Sequence, residues 1–281
     1  MRLIGIGLAA LLVFAITFSC AQQPQRQTGR IISVEQSDEE WRGLGRDLSF
    51  TRFSPLEQIN AETVATLEVA WRWKQANFGP NPETGGQAGE VTPIYVDGVL
   101  YASAGSRRTV AALDPTTGET LWTFRPWEDE DRWAKAPRRS SGRGVSFWTD
   151  GQGDERIFVV TIGYQLVALD AETGRPIPGF GVDGIVDLKR DNDQYIDPLT
   201  GEIGWNSAPV VARDVVIVGA SHRSGGSPPS RENVKGYIRG YDVRTGQRKW
   251  IFHTIPRPGQ FGRETWLNDS AVYTGNTGVW T

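Results

Sequence analysis

Ala112-Leu113-Asp114-Pro115-Thr116-Thr117-Gly118-Glu119-Thr120-Leu121-Trp122 decides the fold, because the same order of residue types returns further along the chain. It recurs as Ala168-Leu169-Asp170-Ala171-Glu172-Thr173-Gly174, where Pro176 and Phe180 replace the tryptophan, and as Gly240-Tyr241-Asp242-Val243-Arg244-Thr245-Gly246-Gln247-Arg248-Lys249-Trp250. A partial copy, Leu67-Glu68-Val69-Ala70-Trp71-Arg72-Trp73, stands near the start. Each copy reads as strand, tight turn, strand. The apolar pair closes one strand, Asp accepts backbone N–H groups in the turn, and Gly takes the left-handed conformation. The aromatic residue then enters the next strand and covers the join to a neighbouring sheet.

The flanking segments fit the same unit. Arg156 to Thr161 and Asp214 to Gly219 read as strands, and Thr92 to Ser103 reads as a hairpin around Asp97-Gly98. After Leu67 no segment sustains a 3.6-residue period, and Ala61 to Thr66 fits one helical turn. With 33 glycines and 11 tryptophans in 281 residues, the composition suits frequent turns and aromatic packing on pleated faces. The pattern predicts an all-β fold, a β-propeller of four-stranded blades whose radial packing protects sheet edges. The repeat spacing is roughly 64 residues, so an eight-bladed ring needs on the order of 500 residues and about four blades fit here.

Net charge is −3, which gives no attraction to nucleic acid or to an anionic membrane surface. One cysteine and two histidines exclude a His/Cys zinc site, a disulfide framework and a CxxCH haem site within the chain. Arg2 followed by the apolar run Leu3 to Phe18 reads as an export signal over residues 1–20. Thr17-Phe18-Ser19-Cys20 resembles a bacterial lipobox, with Thr17 where Leu is usual, so Cys20 is the candidate lipid anchor. An ordinary cleaved signal with an incidental cysteine is the alternative. Residues 21–40 read as a polar tether and 41–281 as the propeller. The expected location is the periplasm.

The repeat resembles the tryptophan docking motif of PQQ-dependent (pyrroloquinoline quinone) dehydrogenases. Four further stretches are similar to that family's sugar/alcohol dehydrogenase branch: Gly45 to Leu56, Gly89-Glu90-Val91-Thr92-Pro93, Gly142-Arg143-Gly144-Val145-Ser146-Phe147-Trp148, and the run from Tyr237 to Trp280. The resemblance spans Trp41 to Thr281 and implies the N-terminal half of an eight-bladed quinoprotein propeller. It implies oxidation of an alcohol or aldose sugar, with electrons passed to a quinone or cytochrome c. PQQ is a flat tricyclic ortho-quinone with three carboxylates. It calls for an aromatic floor, cations and donors at its acidic rim, and a divalent metal, calcium by the resemblance, near the quinone oxygens.

The family's pattern carries over residue by residue. Trp280, closing a glycine-rich stretch, matches the residue lying flat on the cofactor ring, with Gly275 and Gly278 allowing close backbone approach. Arg143 matches a carboxylate clamp, for which a guanidinium fork is suited. Glu90, Ser221 and Asn206 match cofactor-contacting positions. Three departures stand out. The adjacent cysteines of methanol dehydrogenases are absent, which points to the glucose-dehydrogenase-like branch. Trp148 occupies a position where that branch has a histidine. His222, Arg223 and Ser224 follow Ser221 where some relatives place a metal-binding Glu, so no metal ligand is assigned. No catalytic residue is assigned either: the family's aspartate base falls in later blades, beyond Thr281, and Asp47, Asp187 and Asp197 read as solvated turn positions.

Two function classes are open at this point. One is a PQQ-dependent dehydrogenase. The other is a non-catalytic propeller lipoprotein scaffolding outer-membrane assembly. The carboxylate clamp at Arg143, the cofactor-contacting Glu90 and the Gly275-to-Trp280 stretch favour the enzyme. A 281-residue half-propeller by itself is expected to expose open sheet edges and to be inactive.

Overall fold

The computed structural model describes residues 37–47, 49–79, 90–222 and 234–279. Three antiparallel four-stranded sheets follow one another. The first holds β1 (Ile94–Val96), β2 (Val99–Ala104), β3 (Thr109–Leu113) and β4 (Thr120–Phe124). The second holds β5 (Ser146–Thr149), β6 (Glu155–Val160), β7 (Gln165–Asp170) and β8 (Ile185–Asp187). The third holds β9 (Val210–Ala212), β10 (Val215–Val218), β11 (Ile238–Asp242) and β12 (Arg248–Phe252). In each, neighbouring strands are consecutive in the chain. The partial copy at 67–73 contributes an extended segment and no sheet among the described residues. The Asp97-Gly98 hairpin closes β1 on β2 with both residues at positive φ, 43° and 78°, the arrangement that matches strand twist.

The middle sheet is buried on both faces, and strand alternation explains how. Phe158 and Val160 on β6 face a core shared with Val216, Val218 and Tyr241 of the third sheet. The intervening Ile157 and Val159 face a second core with Ile94, Tyr101 and Val110 of the first. Period-2 alternation thus delivers both parities to apolar surroundings, which is why β6 reads as an unbroken apolar run. The first strands lie inward, β5 against β9, while the fourth strands β4 and β12 are largely exposed.

The repeated turns dock one sheet on the next. Asp114 Oδ1 accepts from Thr116 and Thr117 N–H, and Asp170 and Asp242 do the same in their turns. Gly118, Gly174 and Gly246 take φ of 73°, 69° and 72°. Each glycine leaves room for a neighbour: a Cβ on Gly118 would lie 2.6 Å from the Trp71 ring, and one on Gly174 would lie 2.4 Å from the Trp122 ring. The indole nitrogens of Trp71 and Trp122 donate to Pro115 and Ala171 carbonyls at 2.9 and 3.1 Å.

The second copy departs from this pattern. Phe180 is not the docking residue; it is fully buried, with its ring 5.6 Å from that of Phe158. Pro176 bridges back to Leu169, and the chain loops through Gly181 and Gly184 before β8 begins. The docking position therefore falls to Gly181, whose N–H donates to Thr245 O at 2.9 Å, and to Val186. Two short helices also occur, α1 (Glu130–Lys135), between β4 and β5 and capped by Asp129, and α2 (Ser270–Tyr273), after β12. At six and four residues, both are too short to leave a 3.6-residue period in the sequence. No helix among the described residues is long and apolar enough to cross a membrane. Cys20, Arg223, Ser224 and Trp280 lie outside the described residues.

Gly174→Ala and Gly98→Ala each force alanine to positive φ, at about 1 kcal/mol. Only Gly174→Ala also drives a methyl into the Trp122 ring, whereas nothing lies near Gly98. Urea midpoints are expected to fall at least twice as far for Gly174→Ala; equal shifts would show that Trp122 does not lock the two sheets.

Candidate functional site

A short extended segment precedes the first strand of each sheet, and these segments carry three candidate residues. Glu90 stands just before β1, Arg143 just before β5 and Asn206 just before β9. Backbone bonds stitch them together: Thr92 N–H donates to Arg143 O at 3.1 Å, and Arg143 N–H donates to Asn206 O at 2.9 Å. The Ser146 hydroxyl adds a bond to Pro209 O. Because β10 runs antiparallel to β9, Ser221 at its far end returns to this same end of the sheet. Gly204 and Ser221 exchange both backbone bonds, at 3.0 and 2.7 Å.

The glycine-rich stretch lies against this wall. A Cβ on Gly278 would be 2.3 Å from Ala220 O, and one on Gly219 would be 2.8 Å from Val279 O. No side chain fits at either place, which is the close approach that glycine permits. Four of the five expected cofactor residues thus converge on one end of the sheets. The fifth, Trp280, follows Val279 directly but lies outside the described residues.

The side chains differ in how firmly they are held. Arg143 Nε donates to Glu90 Oε2 at 3.2 Å, with 32% and 62% of the two side chains exposed. Among the described residues the Arg143 side chain makes this one bond, through Nε. Asn206 Oδ1 accepts from Arg108 Nη2 at 3.0 Å and from Ser140 Oγ, so Nδ2 remains as a donor. Behind Gly219, Tyr164 Oη donates to its carbonyl at 2.6 Å and accepts from Arg239 Nη2 at 3.1 Å. Burial raises the Tyr164 phenol and the adjacent Arg239 cation opposes that rise, so the hydroxyl stays protonated as a donor.

The sequence reading missed Arg108. It is 2% exposed, comes from the β2–β3 turn, and reaches across both other sheets. Its guanidinium donates to Ser140 O at 3.1 Å, Val160 O at 2.9 Å, Trp205 O and Asn206 Oδ1. The available signal was a charged residue directly before the wholly buried β3. Trp148 lies in the core between the second and third sheets, with Arg244 over its ring at 4.6 Å.

The carboxylates outside the site have structural partners. Asp47 caps Thr51, and Asp197 accepts from Leu199 and Thr200 N–H, both turn positions as expected. Asp187 differs: it pairs with buried Arg132 at 2.5 Å. Burial pushes its carboxyl up, but the Arg132 bonds and charge outweigh this and hold it below the usual range. His222 follows Ser221, and burial lowers its imidazole to about 4, against a bond to the Val234 backbone that favours the charged form. Among the described residues no three His, Cys, Asp or Glu side chains gather to hold a metal. Calcium calls for roughly six to eight oxygen ligands, and no carboxylate cluster among the described residues supplies them by itself. For PQQ the fit is better, with a partly exposed guanidinium fork, an oriented amide and backbone open to close approach.

The glucose/ethanol/alcohol dehydrogenase PQQ β-propeller domain model matches residues 41–281. Quinohemoprotein alcohol dehydrogenase ADH-IIG of Pseudomonas putida is 31% identical over 98% of this chain and 35% of its own length. Quinoprotein glucose dehydrogenase of Gluconobacter oxydans is 30% identical over 91% of this chain and 33% of its own. The solved structure of the Pseudomonas putida ADHIIG enzyme superposes with a TM-score of 0.65 at 30% identity, covering 85% of this chain and 31% of that one. The chain spans about a third of the length of these relatives.

Burial separates the two arginines. Arg143→Ala removes a half-exposed ion pair and is expected to change stability by less than about 1 kcal/mol. Arg108→Gln leaves several buried carbonyls without donors and is expected to cost about 3 kcal/mol or more. Thermal and urea unfolding of both variants check this; comparable losses would mean that Arg143 is also a structural residue.

Proposed function

The chain belongs to the glucose/ethanol/alcohol dehydrogenase family of PQQ β-propellers, and from that membership we propose that it forms part of a PQQ-dependent dehydrogenase. Its substrate is an alcohol or an aldose sugar, its electron acceptor a quinone or cytochrome c. The observation that carries this reading is the stitching of Glu90, Arg143 and Asn206 into one row before the inner strands, with Ser221 at the same end. A scaffold has no need of a carboxylate clamp there, and the alternative of an outer-membrane assembly scaffold finds no support among the relatives described above.

When bound, PQQ supplies the two-electron acceptor for hydride from the substrate carbon. Arg143 clamps a cofactor carboxylate through its terminal nitrogens, and Glu90 holds the guanidinium from the other side. Asn206 offers its Nδ2 donor, oriented by the two bonds on Oδ1. Ser221 contributes a hydroxyl from the wall fixed by the Gly204 bridge. Trp280 forms the flat aromatic floor. A divalent ion, calcium in the family pattern, accompanies the cofactor. The protein is exported to the periplasm, with Cys20 as its lipid attachment point.

PQQ titrations of the full-length protein with divalent ion present, followed by absorbance, test the site. Arg143→Ala is expected to weaken binding roughly ten- to a hundredfold, the value of a charge-assisted contact. Trp280→Phe is expected to weaken it less than Trp280→Ala. A folded Arg143→Ala protein that binds PQQ like the wild type would remove Arg143 from the site.

Export is tested by fractionating cells that express the wild type or Cys20→Ala. The wild type is expected in the membrane fraction and Cys20→Ala in the soluble periplasm. An unprocessed cytoplasmic product would contradict export, and equal soluble release of both would contradict lipidation.

A further inference from the structure

Tyr164 is a bulky residue in a backbone conformation that favours glycine. It closes the β6–β7 turn at φ 68°, in the left-handed region that large side chains rarely adopt, and it is fully buried. Arg108 holds the equivalent place in the β2–β3 turn. Its φ is 52°, and its N–H donates to Gly105 O as that of Tyr164 donates to Thr161 O. Both side chains leave their own sheet for main-chain oxygens beside the third, Arg108 for Trp205 O before β9 and Tyr164 for Gly219 O after β10. A strained backbone at a buried position points to a function for the side chain that it presents.

The Tyr164 hydroxyl has two partners, and each fixes its direction toward the other. It donates to Gly219 O at 2.6 Å and accepts from Arg239 Nη2 at 3.1 Å. Arg239 is itself fully buried, with Nη1 on Arg190 O at 3.3 Å. Gly219 is a junction of the candidate site. A Cβ there would meet the Trp205 ring at 2.4 Å and Val279 O at 2.8 Å, and two residues further on Ser221 exchanges both backbone bonds with Gly204. Holding the Gly219 carbonyl therefore holds the edge that carries Ser221 and the backbone on which Val279 rests.

We propose that Tyr164 is a positioning residue of this site: its hydroxyl, backed by Arg239, locks the Gly219 carbonyl and so presents the Ser221 edge to the ligand. Tyr164 acts through that edge and touches no ligand itself. Arg108 does the same for Asn206 from the same turn position one sheet earlier. The inference rests on the cofactor reading only for what the edge contacts.

Full-length Tyr164→Phe, which keeps the ring and removes only the hydroxyl, tests it by PQQ absorbance titration and by amide hydrogen exchange. Binding is expected to weaken about five- to tenfold, the order of one hydrogen bond, and exchange at Ala220 and Ser221 to speed up. Tyr241→Phe is the control. That phenol is buried in the same core and its hydroxyl has no partner among the described residues, so both readouts are expected to match the wild type. In a Ser221→Ala background the effect of Tyr164→Phe is expected to shrink below about twofold, because both changes act through one edge; a loss from general destabilisation would persist there. Arg239→Gln keeps the hydroxyl and removes the cation behind it. It is expected to move both readouts the same way, and it decides the matter where Tyr164→Phe folds poorly. Unchanged exchange at Ala220 and Ser221, an effect undiminished in Ser221→Ala, or an equal effect from Tyr241→Phe would overturn the assignment. Faster exchange at those amides in a protein that binds no PQQ refutes the cofactor reading alone; PQQ bound equally by wild type and Tyr164→Phe refutes this inference alone.

Discussion

The buried guanidinium of Arg108 is the constraint on which the rest of the described structure turns. Removing a cation from water is expensive, and only a full set of well-placed acceptors offsets that cost. Those acceptors lie on three separate segments: Ser140 O before β5, Val160 O at the end of β6, and Trp205 O with Asn206 Oδ1 before β9. One side chain from the first sheet therefore fixes where the second and third begin. Since Arg143 and Asn206 sit on two of these segments, their spacing is set by a residue with only 2% of its surface exposed.

Outside this hub, the sheets are held by apolar faces and docking turns. The middle sheet shares one core with each neighbour, so neither of its faces meets water. The indole of Trp122 closes the outer end of one such seam through a carbonyl on the next sheet. Packing at the outside and a charged network at the inside leave the segments before the inner strands with little freedom. A site built there needs no loop to close over it before its residues are in place, which favours recognition of a rigid, flat, multiply charged ligand.

Much of this was legible in the sequence because local chemistry dictates it. The Asp-x-x-Thr-Gly turns announce themselves through residues that only such turns require, and the structure places all three as read. The convergence of Glu90, Arg143, Asn206 and Ser221 was reached through resemblance; spacing alone would not have paired residues more than a hundred positions apart. Arg108 escaped notice because the sequence shows it beside Arg107 as a surface charge pair, and its partners are backbone carbonyls, which carry no sequence signal. Phe180 misled for a related reason: an insertion between turn and outer strand moved the docking position to Gly181 and Val186.

The central claim is that the row of residues before the inner strands is a PQQ site. The measurement that tests it most directly is the crystallographic difference density of the full-length protein soaked with PQQ. The account predicts a planar density at the inner end of the sheets, with a carboxylate on the terminal nitrogens of Arg143, an edge toward Asn206 and Ser221, and the Trp280 ring parallel to its face. Ordered PQQ bound elsewhere, or a saturating soak that leaves Arg143 paired with Glu90 alone, would contradict it.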